Sequence, residues 1–226
     1  MTEETLNKIL ERHAHYLARD VEDWESYRAI FDGLDLSGMN LSFKNISYAS
    51  FQNADLSNTN LDVALFKHCD FFGAKFFNTK LDSAHFDDCN FAFASFRMSN
   101  LTAIWIENSN FKHMRFERCK MDRASIYNCS FNRALFSNSC LNHSSWNGSI
   151  FYEPCTFYNS ALLGCSMDNI KGIKNIDINN CILKDIENPV SKRSVLYDIC
   201  KPEYIHYIRC RIKVFFFGQE SVKYWE

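Results

Sequence analysis

Ala54-Asp55-Leu56-Ser57-Asn58, Thr59-Asn60-Leu61-Asp62-Val63 and Ala64-Leu65-Phe66-Lys67-His68 each carry a large apolar residue at the third position and a small residue at the first. The large residue recurs every fifth place from Leu36 through Leu41, Ile46, Phe51 and onward to Leu141, Trp146 and Phe151, with no exception. The small column beside it reads Ala54, Thr59, Ala64, Cys69, Ala74, Thr79, Ala84, Cys89, Ala94 and Ser99. A period of five belongs neither to a helix, with its 3.6-residue turn, nor to a strand, which alternates every two. Two inward residues spaced two apart span one short side, and a corner must follow before the next pair. Four such sides close a coil of twenty residues. Stacked coils pair their backbone groups above and below, and each buries its apolar column only under a neighbour. The centres from Leu36 to Phe151 make six coils, a rod of about 29 Å at ~4.8 Å per coil.

Ala54-Asp55-Leu56-Ser57-Asn58 is similar to the A-(D/N)-L-x-x consensus of the pentapeptide repeat family. The resemblance implies an all-β solenoid, a right-handed quadrilateral parallel β-helix. The leader Leu6-Asn7-Lys8-Ile9-Leu10-Glu11-Arg12-His13 also resembles the segment preceding the repeats in pentapeptide proteins of phages, prophages and gut bacteria. That implies a phage or bacterial origin.

Ten cysteines in 226 residues raise the question of a disulfide framework. Their places answer it. Cys69, Cys89, Cys119, Cys129, Cys155 and Cys165 occupy the small inward column, where a thiol packs as a slightly larger alanine, and no CxxC pair occurs. No run of about 20 apolar residues is present, so no membrane span is expected. The opening Met1-Thr2-Glu3-Glu4 lacks a signal-peptide n-region and h-region, and a cytoplasmic location is expected.

Three segments follow from the pattern. Residues 1–33 hold Leu6, Ile9, Leu10, His13 and Leu17 at helical spacing, with Thr2 as N-cap, and predict a short helix capping the rod's open end. Residues 34–186 are the β-helix; its columns slip by one residue after Phe151, at Pro154, and resume with Cys155/Phe157, Ser160/Leu162 and Cys165/Met167, then again at Ile176/Ile178 and Cys181/Leu183. Residues 187–226 begin at a breaker, Asn188-Pro189. Ile205, Ile208, Ile212 and Phe215 share a helical face, which predicts a helical cap, while Ile208, Cys210, Ile212 and Val214 alternate as a strand would. Family members commonly dimerise through this end, so the resemblance makes Val214, Phe215, Phe216 and Phe217 the candidate homodimer contact.

Function must come from outward positions. Metal-ligand spacing, HExxH, a phosphate loop and a nucleophile elbow are all absent from the sequence, and no cofactor or enzyme activity is expected. The family's best-known activity is binding a type II topoisomerase as a rod that imitates duplex DNA, as the quinolone-resistance pentapeptide proteins do. Mimicry needs a surplus of carboxylate. Residues 34–151 hold ten acids and eleven bases, a net +1. Gyrase or topoisomerase IV modulation is therefore the alternative reading, behind a protein–protein interaction rod with an unknown partner. Direct nucleic-acid binding is not expected at a chain charge of -2. Two surfaces are candidates. Phe72, Phe93 and Trp105 are outward aromatics, and Lys75, Arg97, Arg115 and Arg118 form a charged face opposite Asp87, Asp88 and Glu107.

Overall fold

From Ile30 to Ile150 every backbone bridge is parallel and joins residues twenty positions apart, for example Ile30 to Ser50, Asn60 to Lys80 and His85 to Trp105. The computed structural model describes residues 1–181. Within them the chain is a four-sided parallel β-solenoid of about six turns, preceded by a short helix. Strands of three residues appear on two sides: β1 (Leu65–Lys67), β2 (Lys75–Phe77), β3 (His85–Asp87), β4 (Ser95–Arg97), β5 (Trp105–Glu107), β6 (Arg115–Glu117), β7 (Ser125–Tyr127) and β8 (Leu135–Ser137). Of these eight, the odd-numbered strands stack in one sheet and the even-numbered strands in another. The other two sides pair through single bridges such as Asp70 to Asn90 and Lys80 to Asn100.

The column of large residues is the core. Because the same position recurs on each coil at strand spacing, identical rings lie over one another. Phe51, Phe71, Phe91, Phe111, Phe131 and Phe151 form one stack with centroids 4.7 to 5.3 Å apart. Phe76, Phe96, Phe116, Phe136 and Phe157 form a second, on the side carrying the even-numbered strands.

Each corner needs a residue in the left-handed region, and it falls two places after the centre: Asn53, Asn58, Val63, His68, Asn78 and so on. What differs between sides is how the corner is closed. After Phe71, Leu81, Phe91 and Leu101 a turn bond runs from the N–H three residues on, as in Ala74 N to Phe71 O at 3.0 Å. After Phe76, Phe86, Phe96 and Ile106 the corner is open. The second small column replaces the lost bond. Ser99 Oγ donates to the Phe76 carbonyl at 2.8 Å and accepts from Thr79 N–H at 3.1 Å, one coil below. The Cys89 and Cys119 thiols donate in the same way to the Phe66 and Phe96 carbonyls. Hence from Ala64 to Ser99 the column alternates Ala with Ser, Thr or Cys: alanine follows a closed corner, a donor follows an open one, whereas Thr59, Ser144 and Ser149 follow closed corners. The thiols are more than enlarged alanines. Asp and Asn one place before the closed-side centres accept the N–H two residues on, as in Asp70 Oδ1 from Phe72 N at 3.0 Å, which accounts for the acidic or amide position of the repeat.

After Phe151 the register lengthens to twenty-one, with Leu135 opposite Thr156 and Phe136 opposite Phe157. The extra residue sits at Pro154, and β9 (Cys155–Tyr158) rejoins the ladder as the sequence predicts. Cys155, Phe157, Leu162, Met167, Ile176, Ile178 and Cys181 are all buried. A second extra residue precedes β10 (Ile176–Asn179), where Gly172, at φ 77°, lies so close to the Phe151 carbonyl that no Cβ would fit. The predicted C-terminal segment 187–226, with Val214, Phe215, Phe216 and Phe217, lies outside the described residues.

At the other end α1 (Glu3–Ala18) starts at Thr2, whose hydroxyl accepts Thr5 N–H, and carries Glu3 and Glu4 in its first turn, where they suit the helix dipole. It turns Leu6 and His13 onto the first coil. His13 is bonded at both nitrogens: Nε2 donates to the Ser47 carbonyl at 2.9 Å and Nδ1 accepts from Ala29 N–H at 3.1 Å. Lys44, a charge in the small column, is exposed in a groove beside Glu11.

Three outcomes are expected. Ala84 is fully buried, so Ala84→Arg should cost several kcal/mol, about 3 or more, by burying an unpaired charge; a melting curve like the parent's overturns the inward column. Ser99→Ala should cost about 1–3 kcal/mol by leaving the buried Thr79 N–H without its acceptor, whereas the exchange at Ser83, an exposed corner, should stay within about 0.5. Burial, reinforced by nearby Arg28, holds His13 below its usual 6.5 against the pull of the Ser47 carbonyl. The unfolded state then takes up the proton first, so His13's contribution is complete above about pH 6.5 and fades below it. Melting between pH 7.5 and 5 should show this loss, and His13→Phe should flatten it.

Candidate interaction surface

On the strand-bearing sides the residues flanking each buried centre point outward, and stacking turns them into columns. One such side carries Lys75 on β2, Arg97 on β4 and Arg115 on β6. Arg118 belongs to the adjoining corner, at φ 55°. The face is not purely cationic: Glu117 lies 3.7 Å from Arg97 and 3.9 Å from Arg118. Arg97 also lies over the exposed Phe77 ring, 5.8 Å from its centroid. The opposite strand-bearing side holds Asp87 and Glu107, with Asp88 at its corner, interrupted by Lys67, which lies 3.8 Å from Asp87.

Phe72 and Phe93 do meet, with ring centroids 5.4 Å apart on adjacent coils. His113 stacks on Phe93 at 4.8 Å, one coil further. Phe93 occupies a left-handed corner at φ 61°, where Gly73 sits one coil earlier. Trp105 is elsewhere. It stands on the acidic side between His85, at 6.0 Å, and Tyr127, at 5.5 Å. The three aromatics therefore form two patches separated by a side of the rod. His113, Phe77 and Tyr127 were missed because flanking and corner positions must be compared twenty residues apart, not five.

Chemical reactivity is suppressed inside the rod. Burial pushes the Cys119 and Cys129 thiols up to about 12, and Cys140, beside Asp122, to about 11, so they remain protonated at neutral pH. Among the described residues no cluster of His, Cys, Asp and Glu is arranged to hold a metal, and no helix is long and apolar enough to cross a membrane. The exposed ion pairs contribute about 0–1 kcal/mol each and do not hold the fold.

The model of pentapeptide repeats matches eight copies, at residues 27–62, 69–103 and 106–138. The chain belongs to the pentapeptide repeat family. Among solved structures it is similar to HetL, a pentapeptide repeat protein involved in heterocyst differentiation regulation from the cyanobacterium Nostoc sp. Strain PCC 7120, at 14% identity over 75% of this chain and 77% of that one, with a TM-score of 0.31. A trypsin-treated form of QnrB1, a plasmid-mediated fluoroquinolone resistance protein, matches at 18% identity over 70% and 92%, TM-score 0.38. Rfr23, from the cyanobacterium Cyanothece 51142, matches at 16% over 72% and 97%, TM-score 0.32. No curated protein sequence matches significantly.

Proposed function

We propose that this pentapeptide repeat protein is a non-enzymatic, cytoplasmic rod that acts by protein–protein contact and pairs with a second copy of itself. The carrying observation is the Phe72–Phe93 pair, exposed at 39% and 52% on a body whose core is already complete. Folding has no use for these rings. Phe93 occupies a left-handed corner, which sets its ring at the outer edge of the rod. Helix α1 packs on the first coil, around Ala29 and Ser47, and leaves them uncovered. In this reading residues 1–33 cap the rod, 34–186 form it, and 187–226 supply the dimer contact through Val214, Phe215, Phe216 and Phe217. Trp105 and the face of Lys75, Arg97, Arg115 and Arg118 are the remaining candidate contacts.

The alternative, modulation of DNA gyrase or topoisomerase IV, draws support from Asp87, Asp88 and Glu107 on one side. The rod's balance of +1 weighs against it. A supercoiling assay with and without quinolone separates the two, since the interaction rod should leave supercoiling unchanged.

Phe72→Ser with Phe93→Ser, and separately serine at 214–217, should each weaken association by more than about 2 kcal/mol where the set is an anchor, roughly thirtyfold. Light scattering and partner capture read the result. If both variants keep the parent's mass and partners, both surfaces are excluded.

A further inference from the structure

The extra residue at Pro154 does more than lengthen one coil. Pro154 lines one end of a groove of about 570 Å³ that runs along the corner between the Phe72 side and the cationic side. Phe93 and His113 form one wall, stacked at 4.8 Å, and Arg115, Arg133, Leu135 and Thr156 complete it. The lining recurs at Phe93 and Ser95, His113 and Arg115, Arg133 and Leu135, and Pro154 and Thr156, so the groove crosses four coils. Three steps of ~4.8 Å make it about 14 Å long, the reach of some four residues of extended chain at ~3.4 Å each. Its shape suits a strand-like segment.

Its charge selects which segment. Arg97, Arg118 and Arg133 each sit beside a glutamate. Among the described residues none holds Arg115 in an ion pair, and its guanidinium stands in the groove as a free fork of donors. Beside it lie the exposed Phe93 ring and the His113 ring, stacked on each other along the groove wall. Two kinds of side chain satisfy these together. A carboxylate answers Arg115 bidentately, and an aromatic ring packs edge-to-face against the Phe93–His113 stack.

We infer that the groove binds an extended acidic segment of a partner protein, with a carboxylate on Arg115 and an aromatic side chain against Phe93 and His113. The inference rests on the interaction-rod reading and specifies the partner's chemistry at the Phe93 end of that surface. Arg133, already neutralised by Glu153, sets the rim.

The test uses the full chain and a fluorescein-labelled octapeptide of alternating glutamate and phenylalanine, with a lysine–phenylalanine octapeptide as counterpart. Fluorescence polarisation should saturate with the acidic peptide and weaken as salt is raised. Arg115→Glu and Arg115→Gln should each lose at least tenfold in affinity, and Phe93→Ser should weaken it as well. Asp88→Asn, on the far side, should bind as the parent does. The inference is overturned if the acidic peptide fails to saturate, if the lysine peptide binds equally well, or if both Arg115 variants bind like the parent while retaining its circular dichroism. The broader reading is tested separately: its Phe72–Phe93 and tail surfaces are excluded when the Phe72, Phe93 and tail variants keep the parent's mass and partners, whatever the peptide does.

Discussion

Coil-to-coil backbone pairing is the constraint from which the rest follows. Along a side some N–H groups donate to the coil above and others to the coil below, as in Phe71 N to Asn90 O and Asn90 N to Cys69 O. That fixes the spacing near 4.8 Å and forces equivalent positions into columns. A phenylalanine column must stack as parallel rings, and a small column must stay small. Corners are left as the one place where polar groups fall outside the ladders, and there the sequence spends its serines, threonines and cysteines. Backbone groups buried at an open corner would cost ~1–3 kcal/mol each if unpaired. Ser99, Ser109 and Ser139 receive the N–H groups of Thr79, Cys89 and Cys119 for that reason.

Much of this was legible. The five-residue period located both inward columns, the Pro154 slip and the resumption at Cys155/Phe157, because burial acts on every residue of a column alike and leaves a repeating signature. The alternation of Ala with Ser, Thr and Cys was also on the page. Size was read from it and hydrogen-bonding capacity was not, so the difference between closed and open corners went unseen. The Phe72–Phe93 contact was predictable from column arithmetic. Trp105 was grouped with it because exposure alone carries no position around the coil. The groove at Arg115 could not be foreseen from the repeat, since its lining combines residues of four coils and ends at the slip at Pro154.

The N-terminal end shows how a solenoid deals with an open face. Helix α1 is amphipathic, and its anchorage is both apolar and polar: Leu6 joins the core, and His13 bridges Ser47 and Ala29, replacing the pairing a further coil would supply. Tyr16 stacks on His13 at 5.3 Å, and Tyr48 continues the column onto His68 at 4.8 Å. The helix therefore behaves as an end cap built from the same column logic, with a hydrogen-bonded ring in place of a strand.

Opposite sides of the rod carry opposite charge, and this invites side-to-side stacking of copies. Such a contact would be heterologous and would not close, giving fibres instead of a dimer. Glu117 stands within the cationic side and Lys67 within the acidic one, each beside the charges it offsets. Both faces thereby lose the uniform sign that open-ended stacking would need. The aromatic corner at Phe72 and Phe93 has no equivalent complement on the far side, where Trp105 is flanked by His85 and Tyr127. Association through a single apolar corner, repeated once by a two-fold axis, is the arrangement in which one patch meets itself and growth stops.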